Sequence, residues 1–261
     1  MIEPDAHSAV VGALEANQWT LFRAVADRGG AEWMEDGEVM WTVTGVPVPA
    51  FNGVLGTTVA PDRADAMIDQ VAATLDSRDV PWSWYVGPAT LPLDLPDRLR
   101  AKGFRELAVL PGMAAAIGPP AAEPAAADGR FRFEEVREEP SLEAFGILLG
   151  VAFEMPPAVV EPFLRVLDVA PDLTNFIALE EGEPVACGSL VMAAGVAGLY
   201  NIGVPPDRQG EGIGKAMTGA LMAEGAARGA ATAVLWSSAA GLACYRGLGF
   251  EERCRLTLYA R

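Results

Sequence analysis

Hydrophobic and polar positions divide the second half of the chain into a regular succession of strands and helices. Continuous or alternating apolar runs are typical of strands, and apolar residues three and four positions apart are typical of helices. The pattern predicts strands at 131–137, 174–180, 184–194, 196–203, 232–237 and about 250–260, and helices near 141–154, 157–168, 212–229 and 239–247. Strands interleaved with helices in this order predict an α/β (α+β) fold with a mixed sheet flanked by helices.

One junction, between the strand at 196–203 and the helix at 212–229, is rich in glycine. Residues 204–215 read Val-Pro-Pro-Asp-Arg-Gln-Gly-Glu-Gly-Ile-Gly-Lys. The first amides of a helix have no partner inside the helix, and the helix dipole favours an anion at that end. Glycine also lets the backbone approach a phosphate closely. The run therefore predicts a pyrophosphate-binding loop, with an ordinary glycine-rich turn as the alternative.

Two other phosphate-binding loops do not fit these letters. A Walker loop needs a hydroxyl after Gly-Lys to bind magnesium, but Gly214-Lys215 is followed by Ala216. A dinucleotide fingerprint has the spacing Gly-x-Gly-x-x-Gly after a first strand, whereas here the glycines alternate and follow many earlier elements. The first comparison excludes a P-loop, and the second argues against a Rossmann site.

The spacing that remains, Gln209-x-x-Gly212-x-Gly214, resembles the acyl-CoA loop of the GCN5-related N-acetyltransferases (GNAT). A second segment, residues 243–250, reads Ala-Cys-Tyr-Arg-Gly-Leu-Gly-Phe and is similar to the family's Tyr-x-x-Leu-Gly-Phe. The order of predicted elements also matches the family's plan over about 130 residues. The resemblance implies a GNAT fold for residues 131–261.

The resemblance also implies the chemistry. Acetyl-CoA would be the co-substrate, an amine would attack its thioester directly, and no metal would take part. Backbone groups of the central strand would pair with pantetheine, and an N–H near Gly203 or Val204 would stabilise the negative charge on the carbonyl oxygen. The residues implied to contact acetyl-CoA are Ile202, Gly203, Val204, Gln209, Gly210, Glu211, Gly212, Ile213, Gly214, Lys215 and Ser238.

The same resemblance assigns a proton donor but no clear base. Tyr245 stands where the family's tyrosine protonates the departing thiolate, although a core tyrosine is the alternative. The central strand has no acid, so Tyr200 and Asn201 are candidates to orient water or substrate. Glu154 is the candidate acid facing the acceptor channel.

The function implied is transfer of an acetyl group to a primary amine of a small molecule or peptide. A noncatalytic acyl-CoA-binding or sensing module is the alternative from another class. An acyltransferase that uses a longer acyl-CoA or a hydroxyl acceptor is the alternative among enzymes.

Residues 1–118 repeat the plan in a degenerate form. Residues 59–63 read Val-Ala-Pro-Asp-Arg and copy Val-Pro-Pro-Asp-Arg at 204–208. The three glycines are missing after Arg63, and Leu99 occupies the position in the first repeat that is equivalent to Tyr245 in the second. We therefore expect a noncatalytic copy that packs beside the catalytic one and shapes its substrate cleft.

Composition fits two cores, with residues 119–130 as a linker rich in proline and alanine between domains 1–118 and 131–261. The 261 residues are 51% hydrophobic and carry a formal charge of −16, from 19 basic and 35 acidic residues. This balance argues against nucleic acid and is compatible with a cationic acceptor. Without a long apolar run or a basic leader at Met1–Asp5, we expect a cytoplasmic monomer or homodimer that does not bind a membrane.

Overall fold

The computed structural model describes residues 6–28, 30–118, 129–168 and 172–261. Residues 119–128 of the expected linker and the segment Met1–Asp5 lie outside the described residues. None of the helices in these ranges is long and apolar enough to cross a membrane.

The N-terminal repeat begins with one long helix and continues with short strands. Helix α1 spans Ala6–Asp27 and α2 spans Ala64–Asp76, while the short helix α3 spans Leu95–Ala101. The strands of this repeat are β1 (Glu32–Glu35), β2 (Val39–Val43), β3 (Asn52–Thr57), β4 (Ser83–Val86) and β5 (Arg105–Ala116). Trp82 and Trp84 are buried against Phe104 in the core of this repeat.

The C-terminal repeat follows the order predicted from its hydrophobic pattern. Its helices are α4 (Glu139–Ala152), α5 (Pro157–Asp168), α6 (Ile213–Ala227) and α7 (Leu242–Arg246). Its strands are β6 (Arg132–Glu135), β7 (Leu173–Glu180), β8 (Glu183–Ala193), β9 (Val196–Gly203), β10 (Thr232–Trp236) and β11 (Glu251–Ala260). The expected α/β fold, with a mixed sheet flanked by helices, is therefore confirmed.

Both repeats contribute to one sheet of 11 strands, in the order β1-β2-β3-β4-β11-β5-β10-β9-β8-β7-β6. The final strands are exchanged, because β5 of the first repeat pairs with β10 and β11 of the second repeat pairs with β4. The two exchanged strands also pair with each other over nine residue pairs, from Glu251–Ala114 to Ala260–Arg105. Neither repeat has a complete sheet without the other.

Helix α1 adds a second connection, since it lies across β8 and β9 of the C-terminal repeat. Its fully buried Asn17 donates two hydrogen bonds, to the carbonyl oxygens of Val191 (3.2 Å) and Ala193 (3.0 Å). The Asn17 Oδ1 atom accepts a third from the Tyr200 hydroxyl at 2.7 Å. A buried amide with three partners fixes the helix on the sheet, because any shift would leave polar groups unpaired.

Opposite faces of the C-terminal repeat carry separate cores. Helix α6 covers one face through Ile213, Met217 and Leu221, which pack among Leu190, Leu199 and other buried residues. Helices α4 and α5 cover the other face, where Phe145, Leu149 and Phe163 belong to a cluster that includes Val46 of the N-terminal repeat. The second of these cores bounds the candidate site.

Candidate active site

The glycine-rich loop ends where α6 begins, at Ile213. Gly210 and Gly212 have φ angles of +87° and +84°, which side chains rarely tolerate. A Cβ at either position would meet no atom within 4 Å, and one at Gly214 would meet only Val204 Cγ2, at 3.6 Å. Side-chain bulk is therefore absent at the start of α6, a helix of 15 residues whose first amides have no partner within the helix. An anion such as the CoA pyrophosphate fits this surface.

Two arginines and two glutamates form a network of ion pairs next to the loop. Glu211 accepts hydrogen bonds from Arg208 Nε (2.9 Å) and Arg130 Nη2 (2.8 Å), and both arginines also contact Glu180. These partners, Arg208 first, lower the pKa of Glu211 to about 2. Because its charge is balanced by the guanidinium groups, Glu211 can occupy the loop without making it a negative surface.

Next to the loop, β9 and β10 separate along their length. Their parallel ladder consists of Ala197–Ala233 and Gly198–Val234, near the start of both strands. Beyond it, no further residues of these two described strands pair with each other, although β9 continues to Gly203 and β10, still paired with β5, continues to Trp236. The gap that opens beside residues 202–204 has the form expected for a pantetheine slot.

The corresponding gap in the N-terminal repeat is closed by its own chain. There, Leu91 N–H donates to the Thr57 carbonyl oxygen (2.8 Å), and Val59 N–H donates to the Leu91 carbonyl oxygen (3.2 Å). Leu99, the counterpart of Tyr245, is fully buried in the core. Asp65 stands in the first turn of α2 and pairs with Arg98.

A β-bulge interrupts β9 where it passes the gap. Ser189 of β8 pairs with Tyr200, but Cys187 pairs with Gly203, so β9 has one more residue than β8 at this point. Asn201 lies in the bulge with φ of +53°. Its Nδ2 donates to Ser189 Oγ (2.9 Å), and Ser189 Oγ donates to Asn175 Oδ1 (2.7 Å). These two hydrogen bonds fix the amide, and since no described residue donates to its Oδ1, this oxygen can accept a hydrogen bond.

Tyr245 lies at the end of α7 and is half-buried. Its ring packs edge-on against Phe250, with centroids 5.9 Å apart. Burial, with a smaller effect of the neighbouring Cys244, raises the pKa of Tyr245 to about 12. The phenol therefore keeps its proton throughout the physiological range, as a proton donor requires.

An apolar cavity of about 420 Å³ lies beside the bulge. Asn201 and Glu154 are its polar residues, and Glu154 is exposed at the end of α4 with φ of +52°. The apolar lining comes from both repeats: Val48 and Phe51 from the first, and Leu149, Phe153, Met155, Pro156, Val159 and Phe163 from the second.

Four other residues that the sequence suggested for the site can also be placed in the structure. Tyr200 is not among the residues that line the cavity, and its hydroxyl is bound to Asn17. Ser238 is exposed after β10, where its Oγ accepts a hydrogen bond from Gly241 N–H at 3.2 Å. Gln209 donates to the Val204 carbonyl oxygen (3.3 Å), and Lys215 is exposed on α6.

Known proteins match this architecture. The sequence profile of the acetyltransferase (GNAT) family matches residues 138–250, which include the loop and Tyr245. The C-terminal half belongs to the GNAT family.

Sequence relatives and solved structures add detail. The [ribosomal protein bS18]-alanine N-acetyltransferase of Escherichia coli K12 is 39% identical over 83 residues, which are 30% of this chain. The aligned stretch spans 55% of that enzyme, about half its length. A GCN5-related N-acetyltransferase from Kribbella flavida has a TM-score of 0.69 at 16% identity, covering 94% of this chain and 95% of that one.

A tandem GNAT protein from the clavulanic acid biosynthesis pathway covers 100% of this chain and 95% of its own, with a TM-score of 0.59 and 12% identity. At such identities the likeness shows the fold alone. It extends the GNAT fold over both repeats and agrees with the tandem arrangement expected from the repeated sequence.

The sequence led us to expect that the N-terminal repeat shapes the cleft, but it did not identify Val48 and Phe51 as the residues that line the cavity. Val48 and Phe51 lie in the segment between β2 and β3, where a single 3₁₀ turn (Pro49–Phe51) is too short for periodicity to mark a buried side chain. Its prolines, at 47 and 49, indicate a turn but not what the turn contacts. The partner of Phe51 is Phe163, 112 positions later, with ring centroids 4.4 Å apart.

Proposed function

We propose that this chain is an N-acetyltransferase that transfers the acetyl group of acetyl-CoA to a primary amine at a site in residues 131–261. The observation that carries the proposal is the uncovered start of α6 beside the open gap between β9 and β10. The N-terminal repeat has lost both features. The proposed ligands of acetyl-CoA are the loop residues 209–215 with Ile202, Gly203, Val204 and Ser238.

Acetyl-CoA supplies the activated thioester, and the residues of the chain bind and orient it. The first-turn amides of α6 hold the pyrophosphate. An N–H at the bulge, near Gly203 or Val204, stabilises the charge that develops on the carbonyl oxygen. Asn201 Oδ1 accepts a hydrogen bond from the attacking amine.

In the proposed acetyl transfer, one bond forms, one breaks, and each proton has a donor and an acceptor. The amine nitrogen forms a bond to the carbonyl carbon, and the carbon–sulfur bond breaks. Tyr245 gives its proton to the departing thiolate and regains one from solvent. The ammonium form first loses a proton to water near the exposed Glu154, which leaves a neutral nucleophile, and the nitrogen loses a second proton to water there after it has bonded to the carbonyl carbon. The products are an amide and free CoA thiol.

The test is a thiol-release assay with acetyl-CoA and a panel of amines, amino acids, polyamines, aminoglycosides and peptides, with each product confirmed by mass. Peptides beginning with alanine belong in the panel because the Escherichia coli relative is an alanine N-acetyltransferase of a ribosomal protein. We expect thiol release that depends on the amine and equals the acetylated product.

Three alternatives predict different results. An acyl-CoA sensor would bind acetyl-CoA but release no thiol with any amine. An acyltransferase specific for longer chains would release thiol faster from a longer acyl-CoA than from acetyl-CoA, with the same amine. A hydroxyl acceptor would yield an ester, which alkaline hydroxylamine cleaves, whereas an amide survives.

A further inference from the structure

The cavity beside the bulge is apolar over most of its lining. Eight of its ten lining residues have apolar side chains, and its volume of about 420 Å³ is in the range of small-molecule sites. A polyamine or an aminoglycoside placed there would lose hydration from charged or hydroxyl groups without gaining partners, which is costly. An aryl or branched alkyl group would lose no hydrogen bonds on entering.

The wall contributed by the N-terminal repeat is held rigidly. Asn52, 1% exposed, donates to the carbonyl oxygens of Val46 (2.8 Å) and Val48 (3.2 Å), on the segment that carries Phe51. Its Oδ1 accepts from the backbone N–H groups of Thr44 (2.9 Å) and Gly45 (3.1 Å). A side chain with these partners fixes the turn before any ligand binds, so the wall is preorganised.

The two polar residues of the cavity suit an amine. Asn201 offers a fixed amide oxygen, and Glu154 offers a carboxylate at the mouth. Both accept hydrogen bonds from N–H groups, and the carboxylate attracts an ammonium ion. An acyl chain has no donor for either atom, so these groups favour the amine as the occupant over a long acyl chain.

Resting on the proposed function, we infer that the acceptor is a primary amine with one bulky apolar group, and that this group lies in the cavity between the two repeats. The degenerate repeat then sets acceptor specificity through Phe51 and Val48. The charge of the chain alone suggests any cationic amine as the acceptor. The apolar cavity restricts the acceptor to an amine that carries a large apolar group.

The experiment compares the full-length chain and its variants, with acetyl-CoA or a longer acyl-CoA as donor, on four probe amines: 2-phenylethylamine, isopentylamine, ethylamine and spermidine. For the wild type we expect kcat/KM for 2-phenylethylamine to exceed that for ethylamine and spermidine by about 100-fold, as burial of several carbons in an apolar site allows. A tripeptide beginning with phenylalanine shows whether the same group is also accepted at a peptide N-terminus.

Two variants change the cavity in opposite directions. Phe51→Ala enlarges it and should raise KM for 2-phenylethylamine about tenfold or more, with little change for ethylamine. Val48→Phe fills it and should exclude 2-phenylethylamine while ethylamine is still acetylated. Phe133→Ala is the matched control, since Phe133 is also half-buried but packs in the core on the α6 face. Thermal unfolding establishes that each variant is folded.

The outcomes separate this inference from the proposed function. If ethylamine or spermidine is acetylated as efficiently as 2-phenylethylamine, the inference is wrong while the acetyltransferase assignment stands. If Phe51→Ala changes preference among acyl-CoA chain lengths and not among amines, the cavity holds the acyl group and the inference is also wrong. If no amine promotes thiol release although acetyl-CoA binds, the proposed function itself fails.

Discussion

Tyr245 packs against Phe250, and the proposed reaction also gives it a chemical role. Its ring lies against Phe250, while its hydroxyl is the protonated group that the proposed reaction uses to neutralise the thiolate. A phenylalanine keeps the ring and removes the hydroxyl, so it separates the two roles.

We expect Tyr245→Phe to lower kcat by about 10²–10⁴-fold, because this is the usual contribution of a positioned proton donor. The affinity for acetyl-CoA and the thermal stability should stay close to wild type. Steady-state kinetics measured where chemistry limits the rate, together with calorimetry, check this. An unchanged kcat would mean that the Tyr245 hydroxyl takes no part in the reaction and that the residue only packs in the core.

Glu15, on α1, is a buried acid in the N-terminal repeat. It is 6% exposed, and burial raises its pKa to about 7, an effect partly offset by a hydrogen bond from Ala89 N–H. Between the ordinary pKa near 4.5 and about 7, the folded chain holds a proton that the unfolded chain has lost. Stability from this group therefore falls as pH rises through that window. The nearby Cys254, with a pKa raised by burial to about 12, stays neutral there.

Glu15→Gln removes this titration and keeps an oxygen for Ala89. From pH 4.5 to pH 8, the free energy of unfolding of the variant should improve relative to wild type by about 3 kcal/mol, the equivalent of a shift of this size. Urea denaturation at several pH values measures the difference. A difference that does not vary with pH would mean that Glu15 has an ordinary pKa.

At the scale of elements, the start of α6 is the part of the site that the sequence predicted most directly. Gly214 offers a clean test, because a Cβ there meets only Val204, at an ordinary contact distance, and its φ is not positive. Gly214→Asp places a carboxylate near the proposed pyrophosphate, and Gly214→Asn places a neutral group of the same shape there.

We expect Gly214→Asp to weaken CoA binding about 10–100-fold, through repulsion at short range. Gly214→Asn should weaken it by much less, so the gap between the two variants isolates the charge. Calorimetric titration of both variants provides the comparison. Equal affinities would argue against an anion at this helix end.

The sequence predicted elements with strong local patterns and missed those that depend on distant partners. The prediction of α5 at 157–168 and of β9 at 196–203 matches the observed bounds, because apolar periodicity is local. By contrast, the bulge at Asn201 depends on pairing with β8, and the hydrogen bonds of Asn52 depend on turn geometry. Neither leaves a periodic signal.

At the scale of the whole molecule, the exchanged strands make the two repeats one structural unit. Nothing in the local pattern of β5 or β11 indicates which repeat each strand joins, since both read as ordinary strands. Residues 131–261 alone would lack β5 between β10 and β11, so experiments on the site need the full chain. The degenerate repeat completes the sheet and supplies Val48 and Phe51 to the cavity.

We propose that this chain, although it has two GNAT-like repeats, has a single acetyl-CoA site, which lies in the second repeat. Calorimetric titration of CoA into the full-length chain tests it most directly. We expect one site per chain. Its affinity should be unchanged when Ala66→Glu adds a charge at the exposed start of α2, and Gly214→Asp should weaken it. Two equivalent sites per chain, or a single site that Ala66→Glu weakens and Gly214→Asp does not, would contradict it.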